Sequence, residues 1–330
     1  MDRLRRKSIL AMLAAVLGLP QAGAAQPPVQ SLPRVVIVTN GDEAGHRPFR
    51  DHFLNGMQRS GQTEGVTFRL EILYANRDTT KVPGLIKEAV AGNPAVLMVY
   101  GLSSAKYARD ASRTVPVVVA TSSDLVDAGI VRSYAHPGGN VTGISDLSDE
   151  LTVKRLELIR KAMPNASRVA LLVNPNFPAT PKIERRVREA AGDMRIEVTS
   201  IYATDLKSLI AAIDSLKGDR IDALLLGGDA LFVIRAKELI ERANAMRVPV
   251  VHYWPGTVEM GALMSHQARV FRNVELAAEY VNRILKGANP GELPVQQPTE
   301  YDLVINARVA KGYGMQIPQS VLLEASSVIE

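Results

Sequence analysis

Short apolar runs alternate with longer amphipathic stretches along the chain from Arg34 onward. In the first half the apolar runs are "RVVIVT", "FRLEILYA", "AVLMVY" and "VPVVVA", and the amphipathic stretches between them cover residues 49–60, 82–91 and 104–111. Runs composed almost entirely of Val, Ile and Leu are typical of strands that are covered on both faces. The pattern therefore predicts an α/β fold with parallel sheets and right-handed crossover helices.

The second half of the chain repeats the first. Residues 34–40 (RVVIVTN) recur as residues 168–174 (RVALLVN), and residues 115–118 (VPVV) recur unchanged as residues 248–251. Short apolar words also match by chance, but these two pairs keep nearly the same separation along the chain, and the rhythm of strands and helices repeats with them. The repeat favours two similar α/β lobes over one long sheet.

A strong turn signal lies between the two halves. The stretch HPGGNVTGIS, residues 136–145, contains Pro137, Gly138, Gly139 and Asn140 in succession, residue types that set tight turns and tolerate a positive φ. We therefore expect the chain to pass here from lobe 1 (residues 34–144) to lobe 2 (residues 145–266). The centre of the turn, residues 138–140, is either a hinge that bends or a structural turn with no hinge role.

The last part of the chain predicts a return to lobe 1 and then a further crossing. A helix over residues 270–286, followed by Gly287, suits a position on lobe 1, so residues 267–288 are assigned to that lobe. Residues 289–330 then return across the hinge. Several chain segments between two lobes form a hinge that bends without unfolding either core.

Residues 1–25 have the pattern of a secretory signal peptide. Basic residues near the start precede an apolar run over 9–19, and the small residues of 22–25 suit a cleavage site. The apolar run is well short of the roughly 20 residues that span a bilayer, which argues against the alternative of a membrane anchor. We expect a free soluble protein in a periplasm, or a secreted one.

Composition excludes several classes of protein. A chain of 330 residues that is 46% apolar and 22% charged is long and apolar enough for two cores. The absence of cysteine excludes disulfides, thiolate metal sites and lipid attachment through a cysteine. The formal charge of +5 falls to about +2 without residues 1–25, so nucleic acid is not an expected partner.

Polar and small residues follow most of the predicted strands. In open α/β sheets, ligands bind beyond the carboxyl ends of the strands, and these ends all face one cleft if the lobes face each other. The candidate ligand-binding residues are Thr39, Asn40, Gly101, Ser103, Ser104, Ser123, Asp124, Asn176, Asp229, Tyr253 and Trp254.

Five of these residues suggest a specific chemistry. Ser103 and Ser104, at the start of a predicted helix, can hold an anion such as a carboxylate, unless one of them is an ordinary N-cap. Asp124 can hold an ammonium group, unless it only forms a turn. Tyr253 and Trp254 can stack on a flat or cationic ligand, or they can pack one lobe against the other.

The sequence lacks the motifs of several common enzyme classes. It contains no G-x-S-x-G, G-x-x-x-x-G-K-[ST], G-x-G-x-x-G or H-E-x-x-H pattern. Its five histidines are not closely spaced with carboxylates, as metal ligands usually are. We therefore expect no catalytic residues, no metal site and no cofactor.

Several longer words along the chain resemble one protein family. They are "HPGGNVTGIS", "KRLELIRKAMP", "RVALLVNPNFP", "GALMSHQ" and "AAEYVNRILKGANPGELPVQQPTEYDLVINARVAKGYGMQIP". From about Arg34 to Glu330, the chain resembles the ABC transporter substrate-binding protein family that includes the tryptophan-binding TrpX-like proteins.

That resemblance implies a type I periplasmic binding protein fold, with two Rossmann-like lobes, parallel sheets and a three-segment hinge. It also implies an extracytoplasmic protein that binds a small solute, such as an amino acid or related carboxylate, and delivers it to an ABC permease in the inner membrane. The family pattern G-D-P-V-x-A-G matches residues 123–129, so Asp124 inherits the role of accepting an amino group, although Leu125 replaces the proline. The family helix start G-T-P-A is "GLSS" here, at residues 101–104.

Two other functions stay open at this point. A ligand-sensing receptor subunit would use the same fold and cleft, and an enzyme on a doubly wound scaffold is the second alternative, because fold alone does not fix function. The missing nucleophile and base motifs argue against the enzyme. We expect a monomer whose partners are a small-molecule ligand and the permease.

Overall fold

Two sheets organise the computed structural model, which describes residues 31–146 and 150–330. The predicted signal peptide, residues 1–25, lies outside the described residues. Residues 32–330 form one compact unit, so the two sheets and the space between them belong to a single body.

Lobe 1 contains the first sheet and its helices. Its elements are β1 (Arg34–Thr39), α1 (Glu43–Arg59), β2 (Arg69–Tyr74), α2 (Val82–Ala91), β3 (Val96–Val99), α3 (Leu102–Ala111), β4 (Val117–Val119) and β5 (Val141–Gly143). The strand order is β2-β1-β3-β4-β5, and every pair is parallel, as the apolar runs predict. Helix α1 begins six residues before the predicted start, because the Asp42 carboxylate accepts a hydrogen bond from the Gly45 N–H at 2.8 Å and caps the helix there.

Lobe 2 contains the second sheet. Its elements begin with α4 (Glu150–Ala162), β6 (Arg168–Val173), α5 (Thr180–Asp193), β7 (Glu197–Tyr202), α6 (Leu206–Asp214), β8 (Ala223–Leu226), α7 (Ala230–Ile234), α8 (Ala236–Ala245), β9 (Val250–His252), α9 (Gly256–Glu259) and β10 (Met264–Ala268). The order β7-β6-β8-β9-β10 reproduces that of lobe 1. The repeated words occupy matching strands, β1 with β6 and β4 with β9, so the prediction of two similar lobes is confirmed.

The rest of the chain visits both lobes. Helix α10 (Val270–Leu285) packs against α1 of lobe 1, so closely that a Cβ on Gly56 would lie 2.8 Å from the Ala278 Cβ. The chain then adds β11 (Tyr301–Asn306), α11 (Ala307–Gly312), α12 (Gln319–Glu324) and β12 (Ser327–Ile329) to lobe 2. The apolar runs alone suggested wholly parallel sheets. Strand β11 runs antiparallel to β10, so the sheets are mostly parallel.

The central strands of both sheets are buried on both faces, whereas the edge strands β2 and β7 are partly exposed. Ile37 and Val38 in β1, like Leu171 and Leu172 in β6, are at most 1% exposed. Burying one such side chain contributes about 1.5 to 3 kcal/mol relative to leaving it in water. Layers of helices on each side of the sheet therefore explain why these runs contain almost no polar residues.

The predicted turn at residues 138–140 lies within lobe 1. It precedes β5, and the Asn140 side chain donates to the carbonyl oxygens of Ser112 and Val115 at 2.9 and 2.7 Å, while the Gly138 N–H donates to the Gly291 carbonyl. The chain leaves lobe 1 only after Gly143. This position favours the alternative of a structural turn over a hinge.

Within the described residues, the chain passes between the lobes in three segments: residues 144–146, residue 269, and residues 296–300. Two of them bond to each other, because the Ser145 N–H donates to the Gln296 carbonyl at 2.9 Å and the Gln296 N–H donates to the Gly143 carbonyl at 2.9 Å. Gly143 has a φ of +133°, and a Cβ there would lie 2.1 Å from the Val119 carbonyl oxygen, so only glycine fits.

Candidate ligand-binding cleft

The carboxyl ends of the strands in both sheets face one cleft of about 690 Å³. This volume is within the usual range of small-molecule sites. Ten of the eleven predicted residues line it: Thr39, Asn40, Gly101, Ser103, Ser104, Ser123, Asn176, Asp229, Tyr253 and Trp254. The fold brings these residues together from loops of both lobes, while their contact with a ligand stays a prediction.

The lobe 1 wall of the cleft contains the start of α3. Gly101, with a φ of +82°, is the N-cap and makes no side-chain capping bond, so neither Ser103 nor Ser104 is the cap. The first-turn N–H groups have no acceptor within the helix, and they concentrate positive charge at this end. Ser122, which is 3% exposed, lines the cleft nearby, and its hydroxyl has no hydrogen-bond partner among the described residues. The arrangement suits an anion.

The lobe 2 wall presents a carboxylate at the matching position after β8. Asp229 is half-buried and caps α7, with its Oδ1 accepting from the Leu231 N–H at 2.9 Å. Burial raises the pKa of Asp229, against the lowering effect of hydrogen bonds from Leu231 and Asn174. A carboxylate that has lost hydration in this way is suited to a cationic partner.

Asp124 lies away from this cleft, although the sequence predicts it as the amino-group acceptor. Its Oδ1 accepts from the N–H groups of Val126 and Asp127 at 3.0 Å each, and from the Tyr134 hydroxyl at 2.6 Å. Its Oδ2 faces the Lys182 ammonium at 3.3 Å. The bonds within its own loop turn the carboxylate toward a separate pocket of about 60 Å³. The turn-forming alternative describes this geometry.

Aromatic rings cover one end of the cleft. Phe49 stacks on His46, with ring centres 5.3 Å apart, and on Trp254 of lobe 2 at 5.7 Å, and it meets Tyr100 edge-on at 5.5 Å. Burial lowers the pKa of His46 to about 4, so this ring is neutral near pH 7. Trp254 therefore packs against the other lobe, as one alternative predicts, and it also lines the cleft, while its stacking on a ligand stays a prediction.

Sequence reasoning missed His46, Phe49 and Tyr100. Because the helix was predicted to begin at residue 49, the turn of α1 next to β1 was not considered as part of the site. Tyr100 directly follows β3, so its position at a strand end was a usable signal.

Arg155 lies beneath the cleft and was also missed. The side chain is fully buried, its guanidinium carbon is 5.7 Å from the centre of the Tyr253 ring, and it donates to the His266 carbonyl at 3.0 Å. Burial lowers the pKa of Arg155 to about 10, so it stays charged near neutral pH. Its place among Leu156 and Ile159 on the apolar face of α4 was the signal in the sequence.

Neither a cluster of metal ligands nor a membrane-spanning helix is found among the described residues. In residues 31–146 and 150–330 no three His, Cys, Asp or Glu side chains are grouped as metal ligands would be. Within the same ranges no helix has both the length and the apolar character needed to cross a bilayer.

Comparison with protein families decides the class of this chain. The model of the ABC transporter substrate binding protein family matches residues 37–329. The chain belongs to this family. The resemblance found in the sequence is confirmed, because the matching family is one of ABC transporter substrate-binding proteins.

Individual relatives of this substrate-binding protein support the assignment. A tyrosine-binding protein of Clostridioides difficile (strain R20291) is 27% identical over 269 residues, which cover 80% of this chain and 76% of the relative. A conserved domain protein from Vibrio cholerae is 26% identical, with a TM-score of 0.83 over 90% of this chain and 100% of the other. An ABC domain from Streptococcus pneumoniae in complex with L-Trp has a TM-score of 0.80 at 22% identity, over 90% and 100% of the two chains. The fold is that of the type I periplasmic binding proteins.

Proposed function

We propose that this substrate-binding protein binds a free amino acid with an aromatic side chain and delivers it, from the periplasm, to an ABC permease in the inner membrane. One observation carries the proposal: a helix start suited to an anion and a half-buried carboxylate suited to a cation lie on opposite walls of the same cleft. An α-amino acid has these two charges on one carbon atom.

The ligand carboxylate is assigned to the start of α3. Leu102, Ser103 and Ser104, the first three residues of this helix, line the cleft there. Hydrogen bonds to a charged group contribute about 1.5 to 3 kcal/mol each. Gly101 allows close approach, because it has no side chain at the point where the helix begins.

The ligand ammonium group is assigned to Asp229 of lobe 2. This assignment replaces Asp124, whose carboxylate is bonded within its own loop and to Lys182. Asp146 also lines the cleft, and its Oδ2 accepts a hydrogen bond from the Thr121 hydroxyl. With Asp42, three aspartates line the cleft, and they favour a ligand with a positive group over a dianion.

The ligand side chain is assigned to the aromatic end of the cleft. Phe49 of lobe 1 and Trp254 of lobe 2 already stack on each other there, and the ring of an aromatic ligand would extend this cluster. An aromatic pair contributes about 0.5 to 1.5 kcal/mol beyond the area that it buries. The relatives described by name as binding tyrosine, or solved with L-Trp, agree with an aromatic ligand.

Delivery requires export and closure. The predicted signal peptide supports a periplasmic location, and the crossing segments give the lobes a place to bend. The closed protein would then present both lobes to the permease.

The experiment uses four probes that separate the two charges. The protein is purified, stripped of bound ligand by reversible unfolding, and titrated calorimetrically with L-tyrosine, L-tryptophan, tyramine and 3-(4-hydroxyphenyl)propionate. Tyramine lacks the carboxylate and the propionate lacks the ammonium group. Each is expected to bind at least about tenfold more weakly than L-tyrosine, a loss of about 1.4 kcal/mol.

Equal affinity for tyramine would remove the anion site, and equal affinity for the propionate would remove the ammonium site. Absence of binding to both amino acids would reject the proposed ligand class. Thermal shift provides an independent readout, because a ligand at 100 times its Kd stabilises the protein by about 2.7 kcal/mol.

A further inference from the structure

The two lobes contact each other through charged groups outside the cleft. Lys182, on α5 of lobe 2, places its Nζ 3.3 Å from Asp124 Oδ2 and 2.8 Å from Asp127 Oδ2. Both aspartates belong to the loop that follows β4 in lobe 1. The Lys182 and Asp124 side chains are only 15% and 17% exposed, so this contact is shielded from water more than an ordinary surface ion pair.

Hydrogen bonds within lobe 1 fix the orientation of the Asp124 carboxylate independently of Lys182. Its Oδ1 accepts three hydrogen bonds from lobe 1, from the N–H groups of Val126 and Asp127 and from the Tyr134 hydroxyl. Burial raises the pKa of Asp124, but the bonds from Tyr134 and Asp127 and the charge of Lys182 outweigh it and hold the pKa below its usual value. The carboxylate is therefore ionised near neutral pH, with its Oδ2 directed at lobe 2.

Tyr134 connects this carboxylate to the crossing segments. Its hydroxyl also interacts with the side chains of Ser145 and Gln297, which lie in two different crossing segments. The Ser145 hydroxyl in turn donates to the Ser123 carbonyl at 3.0 Å, next to Asp124. A rotation of the lobes would therefore disturb the surroundings of Asp124 on both sides.

The contact also adjoins the ligand cleft. Leu102, the first residue of α3, lines both the cleft and the small pocket beside Asp124 and Lys182. Separating Lys182 from Asp124 would move α5 away from the helix start to which the ligand carboxylate is assigned.

We propose that Asp124 and Lys182 are positioning residues that hold the two walls of the cleft together, and that Asp124 does not touch the ligand. This inference rests on the proposed function only for the affinity measurement, which uses L-tyrosine as the ligand. The distance measurement below needs no ligand.

The distance between the lobes is measured with spin labels. The chain has no cysteine, so Lys87→Cys on α2 and Arg185→Cys on α5, both exposed, give one labelled pair across the lobes. Without ligand, Lys182→Met and Asp124→Asn should each lower the ratio of the short-distance to the long-distance population, by at least about fivefold. Lys182→Arg, which keeps the charge, should stay close to the unchanged protein.

A matched control is Lys237→Met on α8. This lysine is also in lobe 2, it is 73% exposed, and its ion pair with Glu241 lies within one helix, so the distance distribution should not change. Identical distributions for the unchanged protein and Lys182→Met, both without ligand and with saturating L-tyrosine, would overturn the proposal. If Asp124→Asn folds poorly by circular dichroism, the Lys182 variants decide the question.

The affinity measurement distinguishes a positioning role from direct ligand contact, because the two predict opposite changes in the affinity of Lys182→Met for L-tyrosine. If the pair positions the lobes, both Lys182→Met and Asp124→Asn weaken L-tyrosine binding by at least about fivefold and leave the ranking of the four probes unchanged. If Asp124 instead holds the ligand ammonium, removing Lys182 removes a competing cation, so Lys182→Met tightens binding while Asp124→Asn weakens it. That second pattern would overturn the proposal. If no amino acid binds the unchanged protein, the proposed function fails, and the distance measurement still tests the pair.

Discussion

The two lobes have the same strand order but offer opposite chemistry at matching strand ends. In lobe 1, β3 leads through Gly101 into α3, whose first N–H groups have no side-chain cap. In lobe 2, β8 leads into α7, which the Asp229 carboxylate caps. The repeated scaffold therefore presents a helix start without a side-chain cap opposite a capping carboxylate. The proposed function assigns the two charges of the ligand to these two features, which lie in the loops and not in the shared fold.

The lobes also differ in the space they leave for a side chain on the strand from which the chain crosses to the other lobe. Gly143 pairs with Val119 in lobe 1, and Ser265 pairs with His252 at the equivalent place in lobe 2. A Cβ fits at Ser265 but not at Gly143, where it would meet the Val119 carbonyl oxygen.

The largest expected effect is the difference in stability between alanine substitutions at these two positions. Gly143→Ala should lower the free energy of unfolding by about 3 kcal/mol or more, because it combines a strained φ with a backbone clash. Ser265→Ala should be neutral or stabilising, because the Ser265 hydroxyl is buried with no hydrogen-bond partner among the described residues. Urea unfolding of both variants measures the difference. Similar losses in the two lobes would show that the close contact at Gly143 is relieved by local movement.

The second effect concerns the charge of lobe 2. Asp229→Asn should weaken L-tyrosine binding by roughly ten- to a hundredfold, the equivalent of one charge-assisted hydrogen bond of about 1.5 to 3 kcal/mol. The melting temperature should change little, because Asn caps a helix about as well as Asp. The control is Asp205→Asn, which changes the cap of α6 in the same lobe but does not line the cleft. Unchanged affinity in Asp229→Asn would show that the lobe 2 carboxylate does not hold the ligand.

The third effect is the loss of stability at low pH. Burial lowers the pKa of His46 in lobe 1 to about 4, and that of His252 and His266 in lobe 2 to about 3 and about 4. The unfolded chain takes up protons on these rings below about pH 6.5, before the folded protein does, so stability decreases as the pH falls from there toward 4.

Each ring should contribute up to about 1.4 kcal/mol per pH unit to that slope. His46→Leu should therefore reduce the slope by about one third between about pH 6 and pH 5, above the range in which carboxylates with lowered pKa values, such as Asp124 and Glu275, add to it. The measurement is the free energy of unfolding in urea at several pH values. An unchanged slope would mean that His46 takes up its proton in the folded protein as easily as in the unfolded chain.

The sequence predicted the strands well because burial on both faces leaves a direct record in the residues. Val35 to Val38 cannot be polar, so β1 was visible, and its repeat as β6 revealed the second lobe. The start of α1 was missed because it depends on one capping contact of Asp42, and the antiparallel β11 was missed because pairing direction has no signature in residue type.

The site was less predictable than the fold. Strand ends located ten lining residues, since that rule depends only on topology. The orientation of Asp124 was not predictable, because it depends on Lys182, 58 residues away in the chain, and on the Tyr134 hydroxyl. Residue type indicates that a carboxylate needs partners, but not which partners the fold supplies.

The smallest expected effect tests the anion site of lobe 1, and it sharpens the contrast between the lobes. Ser103→Ala and Ser104→Ala each remove one hydroxyl but leave the backbone N–H groups at the start of α3 in place. Each variant should therefore weaken L-tyrosine binding by only about tenfold, the low end of the about 1.5 to 3 kcal/mol that a hydrogen bond to a charged group contributes, because the N–H groups still hold the carboxylate. The double variant should still prefer L-tyrosine over tyramine, because the helix N-terminus continues to attract the carboxylate. Loss of that preference would show that the hydroxyls, and not the helix, recognise the anion. The two lobes would then both depend on single side chains, and the contrast between a backbone site and a side-chain site would be wrong.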